Sequence, residues 1–373
     1  MKKIYLIIIL IAIISGLALL IKVNLDKTTI ETNKIFLSSE LFTDRDLTQT
    51  ADTSKAVSYT VSDNTDINIT KEGLYVISGT AQNTTIYVEV GEEEKVQLVL
   101  QKLSITNETM PCIYVKTADK VFITLAETNS LSVTGTFYTD GSTTLNGVIF
   151  SKQDITLNGT GTLNIKSTQN GITGKDDVKI TGGTYNITAE AVAVRANDSI
   201  RIADGVIVLN AGTDGLHAEN GSDDAKGYIY IGGGKINIEA SDDCIHGQSV
   251  VQIDDGTITL NGAEGIEGTY VQINDGTISI TATGDGINAG NKSNSYKVTI
   301  EIAGGTINIV MSSGDTDAID SNGDIIISGG TINVTGSGAF DYDGTATYTG
   351  GIIIINGTQI NTIPSPDTDN NVK

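Results

Sequence analysis

The sequence predicts an all-β fold, a right-handed parallel β-helix of three short strands per coil, and three observations predict it. A turn built on an acidic residue followed by Gly, or on Gly-Gly, returns every 21–22 residues or so along most of the chain. Runs of alternating Ile, Val and Leu flank each turn in one fixed order. Gly is abundant (42) and Pro scarce (3), a balance that suits many short strands joined by tight turns.

The elements follow in chain order. Lys2 and Lys3 precede an apolar run from Ile4 to Ile21, long for a signal-peptide core and about long enough to span a bilayer. Residues 1–23 read as a signal-anchor or signal peptide, with an uncleaved transmembrane anchor favoured. The positive flank stays inside, so the body is expected outside the cytoplasm, at the cell surface. Residues 24–55 are polar and aperiodic, and read as a stalk. Residues 56–363 form the β-helix domain, and residues 364–373 a disordered tail.

Within the domain, alternation begins near Ile67 and continues through Ile86–Val90 and Val96–Leu100. From Asn146 the repeat is plain. One strand reads Asp177-Val-Lys-Ile180, Ser199-Ile-Arg-Ile202, Val271-Gln-Ile273 and Asp324-Ile-Ile-Ile327. A turn follows (Gly182-Gly183, Asp204-Gly205, Asp255-Gly256, Asp275-Gly276), then a second strand such as Ile236-Asn-Ile238 or Ile278-Ser-Ile280. A third segment closes each coil: Asp214-Gly-Leu, Asp243-Cys-Ile, Glu264-Gly-Ile, Asp285-Gly-Ile, Asp317-Ala-Ile. Two longer gaps, near 218–227 and 290–297, read as loops. The ends need caps, expected at about 56–75 and 340–363.

Stacked coils place equivalent residues in columns. Aligned on the third segment, one column reads Asn170, Val192, Asp214, Asp243, Glu264, Asp285, Asp317, Gly338. Three residues on, a second reads Thr173, Arg195, His217, His246, Glu267, Asn288, Asp320, Asp341, and two further on a third includes Lys175, Glu219, Asn322 and Asp343. Like charges opposed across strands repel, so the acidic columns call for counter-ions. Ca²⁺ prefers hard oxygen ligands, and Asp320-Ser-Asn322-Gly323 and Asp341-Tyr-Asp343-Gly344 resemble the start of calcium loops. The expected metal ligands are Asp214, Asp243, Glu264, Glu267, Asp285, Asn288, Asp317, Asp320, Asn322, Asp341 and Asp343. Asp and Asn before Gly also suit turns without any ion.

His217 and His246, the two histidines of the chain, fall in one column on adjacent coils. Arg195 and Lys175 stand beside them and could hold a uronate carboxylate. These four are the expected carbohydrate-binding residues. Arg195 or Lys175 could instead be the base of a lyase.

Forty-five acidic against 23 basic residues give a formal charge of −22, which argues against nucleic acid as a partner. Cys112 and Cys244 lie far apart and read as buried core residues. Trp is absent, and Tyr185, Tyr228, Tyr230, Tyr270 and Tyr296 form no obvious stacking row.

The chain resembles a bacterial extracellular β-helix family named for carbohydrate binding. The resemblance rests on Asn146-Gly-Val-Ile-Phe-Ser151-Lys, Gly159-Thr-Gly-Thr-Leu163, Gly171-Ile, Gly182-Gly-Thr, Asp214-Gly-Leu, Asp317-Ala-Ile-Asp-Ser-Asn-Gly323 and the opening from Thr60 to Gly79. It implies a pectate-lyase-like fold, Ca²⁺ along acidic turns, and adhesion to plant-type polysaccharide such as cellulose or pectin (polygalacturonate). Val192 and Ala193 depart from the Asp-Gly pattern. The expected function is a cell-surface polysaccharide-binding protein, a monomer that uses calcium. The alternatives are a calcium-dependent pectate-type lyase and a structural adhesin without sugar specificity.

Overall fold

A computed structural model describes residues 34–312 and 316–366. The expected N-terminal anchor and most of the expected tail lie outside these residues. Among the described residues no helix is long and apolar enough to cross a membrane. Contacts divide the chain into two units, 1–41 and 42–373. In the first, the described part holds one short helix, Ser38–Leu41.

The second unit is almost entirely β and is dominated by one long sheet of parallel pairings. Its strands pair one repeat later, not with their sequence neighbours. Asp154–Gly159 pairs with Asp177–Ile180, which pairs with Ser199–Ile202, which pairs with Tyr228–Ile231. The second strands run Thr162–Ser167, Thr184–Ala189, Val206–Ala211 and Lys235–Ala240. The third strands stack in the same way. This order is consistent with the expected β-helix and excludes a hairpin meander, which would pair sequence neighbours antiparallel.

The period-2 alternation decides which residues face inward. On the third strands, Ile86, Ile113, Ile149, Ile172, Val194, Leu216, Ile245, Ile266, Ile287, Ile319 and Phe340 succeed one another in register, and all are buried. Ile and Val stack well on such a surface because their branched Cβ fits the pleat. Cys112 and Cys244 are buried in this core as expected, and burial pushes both thiols up to about 12.

The turn between the first and second strands is glycine for a steric reason. Gly234, Gly256 and Gly276 have φ of 97°, 125° and 107°, and a Cβ on each would lie 2.9, 3.2 and 3.0 Å from the carbonyl oxygen of the glycine one repeat earlier. The acids before them are turn residues: Asp204, Asp255 and Asp275 each accept a bond from the following glycine N–H.

Val57–Thr60 pairs parallel with Gly73–Gln82 at the N-terminal end. At the other end Thr358–Ile360 folds back antiparallel on Ile352–Ile355 and covers part of that edge. The stalk expected over 24–55 does not hold for residues 42–49. Thr43 caps the one-turn helix Asp44–Leu47, and the carboxylate of Asp46 is fully buried against the sheet. There it accepts from Lys120 (2.5 Å), Thr156 (2.6 Å) and Lys179 (3.4 Å). Two buried lysines on the sheet need an anion, and this segment supplies it.

Candidate functional site

The outward-facing residues of the third strands form one continuous row. The pairings Thr173↔Arg195, Arg195↔His217, His217↔His246, His246↔Glu267, Glu267↔Asn288, Asn288↔Asp320 and Asp320↔Asp341 place the second expected column in register throughout. The first column is aligned as well: Asp243 opposes Glu264, the Asp243 N–H donates to Asp214, and the Asp317 N–H donates to Asp285.

The register extends the row in a direction that sequence reasoning missed. Asn68↔Tyr87, Tyr87↔Tyr114, Tyr114↔Phe150 and Phe150↔Thr173 continue it toward the N-terminus. The signal was present as Ile86-Tyr87, Ile113-Tyr114 and Ile149-Phe150, but irregular spacing hid it. The row therefore has three zones: aromatic with lysines beside it, then Arg195 and the two histidines, then carboxylates.

At the centre the imidazoles of His217 and His246 stack face to face, 4.5 Å between centroids and 4° from parallel. Each holds its own aspartate three residues earlier: His217 Nδ1 to Asp214 at 2.7 Å and His246 Nδ1 to Asp243 at 2.8 Å. Parallel rings do not converge their nitrogens on one point, so the pair is not arranged to chelate one ion. His217 Nε2 also meets Glu219 at 3.2 Å, and Arg195 meets the same carboxylate at 3.1 Å. His246 Nδ1 lies 2.6 Å from Glu267, whose other oxygen takes Lys292 at 2.6 Å. Burial opposes charge on His246, but hydrogen bonds to Asp243 and Glu267 outweigh it and hold the ring at about 9. For Glu267, burial is likewise outweighed, here by His246 and Lys292, which hold it at about 2.

Further along, the environment of the acids is mainly other carboxylates. Glu264 is pushed up to about 7 by burial and then by Glu267, Asp243 and Asp285. Asp320 is pushed up to about 7 by burial and then by Asp285, Asp341, Asp317 and Asp343. Burial and Glu267 also raise Asp285, against a bond from the Asp317 backbone. The buried Oδ1 of Asn288 has no partner, while its Nδ2 donates to Glu264. Among the expected metal ligands, Asp214, Asp243 and Glu267 are thus engaged by the two histidines and, for Glu267, by Lys292. Glu264, Asp285, Asp317, Asp320 and Asp341 keep company mainly with one another, and Asn322 and Asp343 lie exposed beside them. Hard-oxygen donors crowded in this way fit a divalent cation such as Ca²⁺.

A second acidic cluster, Asp154, Asp176 and Asp177, lies at another corner and was not among the expected site residues. Burial, then Asp154, Asp198 and Asp177, push Asp176 up to about 7, while Arg201 holds Asp177 at 2.6 Å. Its members belong to a different offset from the aligned column, which is why column reading passed over it.

The two long loops flank the row. Asn294 donates to Asp224 at 2.9 Å, joining loop 290–297 to loop 219–227, and Lys292 reaches Glu267 from the former.

A family model described as carbohydrate-binding domain-containing protein matches residues 63–270 and 261–368. A protein of Acetivibrio thermocellus with the same description is 38% identical over 123 residues, 32% of this chain and 43% of that protein, so the match spans less than half the relative's length. The structure of a polysaccharide lyase-like protein from C. thermocellum, a gadolinium derivative, aligns over 84% of this chain and 98% of that one, at 24% identity and a TM-score of 0.34.

Proposed function

The chain belongs to the family of carbohydrate-binding domain-containing proteins, and from that premise we propose that it is a cell-surface polysaccharide-binding protein whose acidic row works through bound calcium. The repeated parallel pairing supports reading the domain as a right-handed, pectate-lyase-like solenoid. The observation that carries the calcium reading is the stacking of Glu264, Asp285, Asp317, Asp320 and Asp341 on one edge, with Glu264 and Asp320 pushed up to about 7 by burial and then by the neighbouring acids.

Those residues and Asn288 would hold the ion. Bound there, Ca²⁺ supplies positive charge that an acidic sugar such as polygalacturonate can share. The chain's own part is to hold the oxygens in register and, through Arg195 and His246, to present cationic groups beside them. Cellulose, a neutral polymer, would gain nothing from the ions and would have to rely on stacking and hydrogen bonds.

Thermal melting of the full chain with calcium and with a chelator tests the first step, because a ligand that binds only the folded state raises Tm. We expect calcium to raise Tm, and Asp285→Asn with Asp317→Asn to abolish the rise. An identical Tm in both conditions removes calcium from the function. Retention on polygalacturonate, cellulose and chitin tests the second step, and equal retention on all three would favour an adhesin without sugar specificity.

A lyase is the second reading, and one observation favours it. Partial burial and then Arg195 lower the Lys175 ammonium below its usual range, toward a basic amine. Arg195 itself is tied to Glu219. Unsaturated product from polygalacturonate with calcium, lost in Lys175→Ala, would convert the binding protein into an enzyme.

A further inference from the structure

We propose that the N-terminal half of this row is a separate, metal-independent subsite for anionic saccharide, in which Lys116, Lys152, Lys175 and Arg195 take carboxylates directly. The proposal rests on the polysaccharide reading above and adds a place and a chemistry to it.

The register builds the subsite. Tyr87, Tyr114 and Phe150 follow one another in the row, with ring centroids 5.8 and 5.6 Å apart. Two residues after Tyr114, Phe150 and Thr173 come Lys116, Lys152 and Lys175, one on each of three consecutive repeats. Adjacent strands lie about 4.8 Å apart, so the three lysine backbones follow one another along the edge at that spacing. Their ammonium groups lie over the rings: Lys116 is 5.0 Å from Tyr87 and 5.5 Å from Tyr114, Lys152 is 5.9 Å from Tyr114, and Lys175 is 5.9 Å from Phe150. Arg195 follows in the row itself.

The acids facing this half are few. Asp66 lies beside Tyr87, Glu89 is 3.7 Å from Lys116, Asp140 accepts from the Tyr114 hydroxyl, and Glu219 holds Arg195. Among the described residues neither Lys152 nor Lys175 pairs with a carboxylate. A lysine stem lying over a ring is ordinary packing. Three stacked lysines with two lacking a counter-ion, in a chain of charge −22, are not accounted for by packing. The same column carries Glu89 one repeat before Lys116 and Asn197 and Glu219 after Lys175, so the three lysines are consecutive between acids. Ammonium groups on successive repeats, each with three rotatable donors, suit a polymer bearing a carboxylate on each sugar, and a neutral glucan would leave them unpaired. Tyr114 and Phe150 are buried beneath the lysines and act as the floor, so the contact surface is the cations.

The test is binding of the full chain to polygalacturonate and to its methyl-esterified form, in calcium and in chelator, by calorimetry. Lys152→Gln, Lys175→Gln and the double variant are compared with Lys235→Gln, an exposed lysine outside the row. In chelator we expect the wild type and Lys235→Gln to bind the acidic polymer, the double variant to bind about tenfold or more weakly, and the ester not to bind. Raised salt should weaken this binding, since exposed charges are screened. Loss of all wild-type binding in chelator overturns the subsite while leaving the calcium reading standing, as does a double variant that binds like wild type. A calcium reading that fails shows separately, as binding that calcium does not strengthen in any of the proteins.

Discussion

Glu264 and Glu267 stand three residues apart on one strand and are pushed in opposite directions, to about 7 and about 2. The difference is partnership: Glu267 takes Lys292 and His246, whereas Glu264 takes one amide from Asn288 and faces other acids. This sets a pH dependence. Glu264 and Asp320 have folded values above their ordinary 4.5 and 3.8. Below about pH 4 both states are protonated and the groups cost nothing. As pH rises toward 7 the folded state keeps protons that the unfolded state releases, so stability falls, and the full cost persists above 7. Glu267 contributes stability that is lost as pH falls from about 4.5 through about 2, outside this window, whereas the contribution of His246 is complete below about 6.5 and is lost as pH rises from there through about 9, so it adds to the decline in the upper part of the window. In chelator, Tm should therefore decline between about pH 5 and about pH 8, by a few degrees, and Glu264→Gln should flatten the slope. A flat wild-type profile would show that the row is already neutralised by the chain. The column of acids was legible in the sequence because it needs only a repeat spacing. Which acids have protein partners was not, because Lys292 reaches Glu267 from a loop with no place in the repeat.

At the scale of elements, residues 42–49 are polar and aperiodic, the pattern of a stalk, yet Asp46 completes a buried cluster with Lys120, Thr156 and Lys179. Asp46→Ala leaves Lys120 and Lys179 uncompensated, and denaturant unfolding should show a loss of about 3 kcal/mol. Burial works against the Asp46 carboxylate, and the bonds from Lys120 and Thr156 more than offset it. A loss below about 1 kcal/mol would mean that water reaches the lysines once the carboxylate is gone. The glycine corners make a sharper case. Gly159 has φ of 106°, and a Cβ there would fall 2.3 Å from the Leu125 carbonyl oxygen. Gly159→Ala should cost about 2 kcal/mol through backbone strain and close approach. Alternation and the Gly turns were readable in the chain, since both are local properties. The docking of Asp46 is a contact across more than 70 residues with no pattern to announce it.

Over the whole molecule, one register survives two insertions. Leu216 pairs with Ile245 and Ile287 with Ile319 although extra residues intervene, because the loops leave the strands' inward and outward faces unchanged. The cost of breaking the stack should be local and cavity-like. Ile245→Ala, in a fully buried row, should lose about 3 kcal/mol in equilibrium unfolding. A much smaller loss would indicate that neighbouring repeats collapse into the space. By itself the sequence determined the β class, the repeat, the inward rows and the column of Asp214, Asp243, Glu264, Asp285 and Asp317, because stacking converts a period along the chain into adjacency in space. Only the tertiary structure decided the rest: the continuation of the row into Tyr87, Tyr114 and Phe150, the stacked histidines each held by its own aspartate, and the division between acids paired by the chain and acids left to one another. Those depend on loop reach, ring orientation and offsets that differ from repeat to repeat, and a periodic pattern carries no information about any of them.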